Sequence, residues 1–366
     1  MKRIILGMSG GVDSSVCALI LKNQGYEVIG VFMQNWDDYL NNDKLGHLKN
    51  HNEQCNVYKD FSDAKKIADL LNIKIYKIDF IKDYWNKVFK YTIKQYKKGL
   101  TPNPDILCNK YIKFDKFLNY AKNKFNADYV AMGHYATIKT IKGVKYLGMS
   151  KDTDHDQTYF LCGLEQKQIN DIVFPIGKYT KDEVRKIAKE NNLPVWNRKN
   201  STGICFIGER KFNDFLENYI STKEGEIKEI ETNKTISKHK GIMYYTLGQN
   251  KDLGLSGCTE RKFVCKKDIK NNILYVCNKK NIDKYLGSEQ CIVQNFNWIN
   301  SKAPINSSVY IRFRHRQKLI KGNFSIKNNK IILNYAKTYA VTPGQYAVLY
   351  QGKICLGGGE IEKILK

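Results

Sequence analysis

The stretch from Arg3 to Lys22 limits the possible folds more than any other. Arg3 to Met8 is a short apolar run, Ser9-Gly10-Gly11-Val12-Asp13-Ser14-Ser15 is a glycine turn, and Ser14 to Lys22 has helical spacing. A strand that ends in such a turn and passes directly into a helix opens a crossover to a parallel neighbour. The pattern recurs. Glu27 to Met33, Ile73 to Asp79 and Ala127 to Gly133 read as further strands, and Asp63 to Leu71 as a second helix. The expected fold class is therefore α/β, with a Rossmann-like parallel sheet whose strands end at polar or glycine residues, where open sheets collect ligands.

A chain of 366 residues exceeds one ordinary core and implies two or three domains. The pattern changes near Lys211. A short helix, Phe212 to Tyr219, gives way to segments punctuated by Gly241, Gly248, Gly254 and Gly257. From Glu289 onward, alternating runs (Ser308 to Arg316, Lys330 to Tyr335, Tyr346 to Leu349) suit a C-terminal antiparallel β-barrel. The expected division is 1–210, a small central domain over 211–288, and the barrel over 289–366. The polar segment between Asp37 and Asp60 has no period and reads as a loop or short helix. No apolar run approaches the ~18 to 20 residues of a membrane helix, and the first residues lack a signal-peptide pattern. The cytoplasm is the expected compartment.

Ten cysteines are too sparse for a disulfide scaffold, so in a reducing compartment a special cysteine is reactive or a ligand. Sixty-one basic against 36 acidic residues leave a net charge of +25, which gathers polyanions and favours nucleic acid as a partner. An AT-biased genome would also enrich Lys, Asn and Ile.

In the glycine turn, consecutive backbone N–H groups and the dipole of the following helix point at one spot, which suits a phosphate. Glycines at 10 and 11 let the chain approach the anion, and the hydroxyls of Ser9, Ser14 and Ser15 add donors. Asp13 holds either the turn or a Mg2+ ion. No Gly-Lys-Ser/Thr follows and Gly-x-Gly-x-x-Gly is absent, which excludes a Walker loop and the dinucleotide fingerprint. The segment instead resembles the PP-loop of ATP pyrophosphatases. That resemblance implies cleavage of ATP between its α and β phosphates, with adenylation of a substrate oxygen.

Two cysteine segments narrow the substrate. Asn103-Pro104-Asp105-Ile106-Leu107-Cys108-Asn109 sets an acid three residues before a thiol, ahead of a helix expected over Lys110 to Lys122. A thiol at a helix N-terminus has its thiolate favoured, with Lys110 and Lys113 adding charge. Ser201-Thr202-Gly203-Ile204-Cys205-Phe206-Ile207-Gly208 holds a second thiol between glycines, behind Arg198 and Lys199, and reads as a reachable cationic loop. With Asn35-Trp36-Asp37, Gly133-His134-Tyr135, Asp156-Gln157, Tyr245 to Gln249 and Gly357 to Gly359, these segments resemble, in order and over nearly the whole chain, the tRNA-specific 2-thiouridylases of the MnmA type.

The resemblance implies ATP contacts at Gly7, Met8, Ser9, Gly10, Gly11, Val12, Asp13, Ser14, Met33 and Gly133, with Mg2+ accompanying the nucleotide. It implies that Asn103, Pro104 and Asp105 meet the target uridine, that Cys205 carries a persulfide loaded by a sulfur-donor protein, and that Cys108 is its partner thiol. Asp105 is the expected base. Cys108 then either resolves the persulfide as a disulfide with Cys205 or releases hydrosulfide as the attacking species. The expected activity is that of a tRNA-uridine 2-sulfurtransferase acting on the wobble uridine.

Arg312-Phe313-Arg314-His315-Arg316, read as a strand, would put three guanidinium groups on one face. The resemblance implies tRNA contact at His134, His155, Asp156, Gln157, Arg314, His315 and Gln345. At His155 the family more often has lysine, which would make that contact depend on pH. His47-x-x-x-His51-x-x-x-Cys55 aligns three possible ligands but lacks a fourth, so no metal centre is assigned. Gly357-Gly358-Gly359 has no helix after it and reads as a bulged strand.

Overall fold

A computed structural model describes residues 1–43, 56–199, 212–255, 260–305 and 307–365. Strands β1 (Arg3–Gly7), β2 (Glu27–Gln34), β3 (Lys74–Asp79) and β4 (Tyr129–Ala131) follow the apolar runs of the sequence. A hairpin comes next, β5 (Ala136–Ile141) and β6 (Val144–Met149), and then a two-residue strand β7 (Ile172–Val173). The first sheet runs β3-β2-β1-β4-β7, with every pairing parallel. Both faces of β1 are buried. Ile4 and Leu6 pack against α1 (Val12–Asn23) and α2 (Asn56–Leu70), while Ile5 joins the core on the opposite face with Val130 and Phe117. This two-sided burial is why the strand reads as a continuous apolar run. The strand order reverses between β1 and β4, which opens a crevice at their carboxyl ends.

The helix expected from Lys110 starts earlier. Pro104 occupies its first turn and Asn103 caps it, its side chain accepting from the Ile106 N–H at 3.4 Å. The run continues from α3 (Pro104–Cys108) through a π-helical segment, Asn109–Lys116, into α4 (Phe117–Phe125). Further on, α5 (Lys181–Glu190) is fixed by a capping box between Thr180 and Glu183 and packs against α1 through Val184 and Ala188. The short helix expected near residue 212 is α6 (Phe212–Glu217).

The second sheet is small: β8 (Gly225–Glu229), β9 (Thr235–His239), β10 (Lys262–Asp268) and β11 (Ile273–Asn278), in the order β10-β11-β8-β9. The third is the C-terminal barrel. Its strands are β12 (Gly287–Trp298), β13 (Ser308–Arg312), β14 (Ile320–Lys327), β15 (Lys330–Tyr339), β16 (Tyr346–Gln351) and β17 (Ile354–Leu365). They pair in the order β12-β15-β14-β13-β16-β17, and β12 closes the ring on β17. Val293, Val309, Ile311, Leu333, Leu349 and Ile361 fill it. Gly357 to Gly359 lies in β17 beside a register irregularity. A Cβ on Gly357 would sit 1.9 Å from the Asn297 carbonyl, which explains the glycine there.

The hairpin β5–β6 leaves the first domain and extends the barrel sheet through Gly148 opposite Ile354, with the Met149 N–H donating to the Lys353 carbonyl at 2.8 Å. Its turn uses left-handed Lys142 and Gly143, as two-residue hairpins require. The arginine-rich segment departs from the sequence reading. β13 stops at Arg312, Arg316 is left-handed, and Arg312 turns inward to Asp156, so the three guanidinium groups do not share a face.

Candidate active site

The glycine turn is braced from within. Gly11 is the N-cap of α1, and the Ser14 and Ser15 hydroxyls both donate to its carbonyl, at 3.1 and 2.9 Å. Ser14 Oγ also accepts from the Ser9 N–H at 3.2 Å. Those two buried hydroxyls therefore hold the loop rather than reach outward, which corrects the expectation that all three serines add donors. What remains for an anion are the first-turn N–H groups, which no helix satisfies internally, and the exposed Ser9. Gly10 sits at φ +75°, and a Cβ there would lie 2.2 Å from the Asp60 carbonyl. Gly7 faces Met132 and Met33 at the sheet's carboxyl edge, and Gly133 lies against Asp13 and the Ser14 N–H. Gly7, Met33 and Met132 thus meet at this edge, and Gly133 meets the turn beside them.

Three contacts to this loop were not visible in the sequence. Arg198 donates to the Gly10 carbonyl at 2.9 Å and pairs with Asp60 and Asp63 of α2. Lys181, the first residue of α5, places its Nζ 2.7 and 2.8 Å from the two carboxylate oxygens of Asp13. Tyr135 donates to Asp13 Oδ1 at 2.9 Å, and burial together with the Asp13 charge pushes its hydroxyl well above the ordinary value, so it stays a donor. One carboxylate beside a phosphate nest suits Mg2+, which takes one or two carboxylates along with substrate phosphates. Asp13 is the residue that would hold it. Among the described residues no group of three or more His, Cys, Asp or Glu side chains could bind a metal ion; His47, His51 and Cys55 lie outside them.

Cys108 is fully buried at the end of α3, in the same core as Met33, Met132 and Ile106. Because the helix begins at Pro104, Cys108 lies beyond the first turn, where the favourable end of the dipole has faded, so the expected N-terminal help to a thiolate falls nearer Asp105. The Asp105 charge and burial together raise the Tyr96 hydroxyl above its ordinary value, burial contributing more. Cys205 and the rest of 200–211 lie outside the described residues.

The central domain and the barrel both grip Thr101, just before Asn103. Gln345 of the barrel donates to the Thr101 carbonyl at 2.8 Å, the Thr101 N–H donates to the Pro343 carbonyl at 3.2 Å, and the Thr101 hydroxyl meets that of Thr246 at 3.4 Å. The residues expected to touch tRNA divide into exposed and enclosed ones. Arg314 is exposed, with its guanidinium anchored on the Ala340 and Leu247 carbonyls at 2.7 and 3.0 Å. His315 packs at a tilt against Phe160 and shares a 3.1 Å hydrogen bond with the Asp156 carbonyl. His155 lies 3.0 Å from Asp152, and Gln157 exchanges hydrogen bonds with the Tyr135 backbone. His134 is buried between Phe114 and Phe174, and burial, reinforced by Lys113, holds it neutral. Asp156 is buried against Arg312, so its carboxylate serves the domain junction.

A family model described as the tRNA methyl transferase HUP domain matches residues 2–209. Models described as the tRNA methyl transferase PRC-barrel domain and the aminomethyltransferase beta-barrel domain match 213–278 and 288–361. The tRNA-specific 2-thiouridylase MnmA of Ureaplasma urealyticum serovar 10 is 52% identical, over 98% of this chain and 95% of that protein. The chain belongs to the tRNA-specific 2-thiouridylase family. Its counterpart in Mycoplasma mycoides subsp. mycoides SC is 50% identical over 100% of both chains, and that in Malacoplasma penetrans is 49% identical over 99% of both. Methyl transfer appears in the descriptions of the family models, whereas these full-length members of the 2-thiouridylase family are named for thiolation.

Proposed function

We propose that this chain is an ATP-using transferase that thiolates C2 of the wobble uridine in tRNA. One observation carries the reading. The Asn103–Cys108 segment starts just after Thr101, which the central and barrel domains hold, and buries Cys108 in the core that also contains Met33 and Met132. Family membership supplies the substrate class.

In this reading the loop amides, Met33 and Gly133 hold ATP, and Asn103, Pro104 and Asp105 hold the uracil. Uracil O2 attacks the α-phosphorus as Asp105 takes the N3 proton, and the bond to the β-phosphate breaks with its electron pair leaving on pyrophosphate. Mg2+ bound with the nucleotide would neutralise phosphate charge. The terminal sulfur of the Cys205 persulfide, loaded by a donor protein, then attacks C2, and AMP departs. A Cys108 thiolate attacks the Cys205 sulfur, forming a disulfide and leaving the thiocarbonyl on the base. An external thiol must reduce that disulfide before the next turnover. Alternatively Cys108 attacks first and frees hydrosulfide. Arg314, His315, His155 and Gln157 contact the tRNA, while Gln345, Asp156 and the buried His134 position the segments that do so.

The test is mass analysis of nucleosides from unmodified tRNA incubated with the protein, ATP and a persulfide donor. Sulfur-for-oxygen exchange in uridine is expected, with AMP formed in step. Cys108→Ser and Cys205→Ser should each abolish it while tRNA still binds. Thiolation at the parental rate by either variant would remove the mechanism.

A further inference from the structure

The phosphate loop contains an acid and no basic residue. Asp13 places negative charge where a triphosphate must sit, and the Arg198 guanidinium is committed to the Gly10 carbonyl, Asp60 and Asp63. Lys181 meets the loop differently. Its side chain is only 10% exposed, and its ammonium spans both oxygens of Asp13 while lying 5.5 Å from the centre of the Tyr135 ring.

The mount is rigid. The Thr180 hydroxyl accepts from the Glu183 N–H at 3.2 Å, the Glu183 carboxylate accepts from the Thr180 N–H at 2.6 Å, and the Lys181 N–H donates to Asp152 at 2.8 Å. Helix α5 is packed on α1, so both partners of the ion pair stand on elements fixed to each other. A long, nearly buried lysine held at a helix start costs side-chain entropy and desolvation, which one carboxylate on a half-open loop repays poorly. A polyanion in the crevice would repay it better.

We propose that Lys181 binds the β- or γ-phosphate of ATP and receives the charge of the departing pyrophosphate, resting on Asp13 until nucleotide arrives. This rests on the ATP-using reading above. The ammonium keeps its proton throughout: the bond between the α-phosphorus and the bridging oxygen breaks, the electron pair stays on pyrophosphate, and Lys181 forms no covalent bond. Its four-carbon stem lets the head swing from Asp13 to a phosphate oxygen without moving the helix. If Lys181 served only to neutralise Asp13, the double variant Asp13→Asn/Lys181→Met, which removes both charges, would keep the parent's ATP affinity.

The experiment is titration calorimetry of the full chain with ATP, AMP and pyrophosphate, comparing the parent with Lys181→Met and Lys181→Arg and recording thermal unfolding of each. Lys181→Met should weaken ATP and pyrophosphate binding by about tenfold or more, as loss of a charged hydrogen bond does, and AMP binding by less than about twofold. Lys181→Arg should recover most of the ATP affinity. Equal weakening of ATP and AMP, unchanged ATP affinity, or parental ATP affinity in Asp13→Asn/Lys181→Met would overturn the proposal. A parent that binds AMP and ATP equally overturns this assignment alone, whereas a parent that binds neither overturns the nucleotide reading itself. Should Lys181→Met not fold, Lys181→Gln, which retains a donor toward Asp13, carries the same comparison.

Discussion

Replacing Arg312 by methionine tests how the barrel is held to the first domain. The Arg312–Asp156 pair is separated by 2.6 Å, with side-chain exposures of 6% and 0%. Asp156 also accepts from the Thr158 hydroxyl at 2.7 Å and the Ser150 N–H at 3.1 Å, and Arg312 donates to the Gln317 carbonyl at 2.9 Å. Methionine keeps the length and leaves Asp156 buried with two neutral donors. Breaking a buried pair from one side costs about 3–5 kcal/mol. The double variant Arg312→Met/Asp156→Asn removes the stranded charge and should lose only about 1–2 kcal/mol, the usual scale of lost neutral hydrogen bonds. Burial already raises the Asp156 carboxyl above its ordinary value despite Thr158, Ser150 and Arg312, and without Arg312 it rises further. A folded-state pKa above the unfolded one gives stability that is present at low pH and lost as pH rises through it. The deficit of Arg312→Met should therefore be larger at pH 8 than at pH 5 in urea unfolding followed by fluorescence. A loss under about 1 kcal/mol, typical of an exposed pair, would refute the reasoning. So would a double variant no more stable than the single one.

Gly10→Ala should cut AMP formation by at least about tenfold, since the left-handed backbone alone costs ~1–2 kcal/mol and the added methyl meets the Asp60 carbonyl. Gly11→Ala, whose nearest neighbour is Ser9 Oγ at 3.4 Å, should be milder, and equal rates for the two would contradict the geometry. Arg314→Ala should weaken tRNA binding and reduce its salt slope by about one phosphate contact; an unaltered slope would assign Arg314 to holding Leu247 and Ala340 alone. Burial, reinforced by Arg316, pushes His315 down to about 4. Its ring is then neutral across the working range, so His315→Gln should change tRNA affinity by the same factor at pH 6 and pH 8. A factor that grows at pH 6 would mean the ring charges on the RNA.

The strands β1 to β4 were legible within a few residues because each is a short apolar run stopped by glycine or polar residues, and stopping and burial are both local properties. The phosphate turn was legible for the same reason. What escaped depends on distant partners. Ile172–Val173 is a strand only because β4 offers it an edge, and two residues carry no period of their own. Arg312 read as a surface cation until Asp156, far away in the chain, closed over it. Pro104 and Asn103 did signal a helix start at 104 by their residue types, but the punctuation of the segment masked the cap. The Lys181–Asp13 contact had no local trace, since a lysine opening a capped helix looks like any solvated residue until α5 is laid on α1.

The hairpin that crosses from the first domain to the barrel has a consequence during synthesis. β6 leaves the ribosome long before Lys353 and Ile354, which dock on its outer edge. Until β17 is made that edge waits with unmated amide and carbonyl groups, the condition under which strands recruit the wrong partner. A chain truncated before β17 should therefore be prone to associate through residues 144–149, and β17 acts as the stopper that ends the vulnerability.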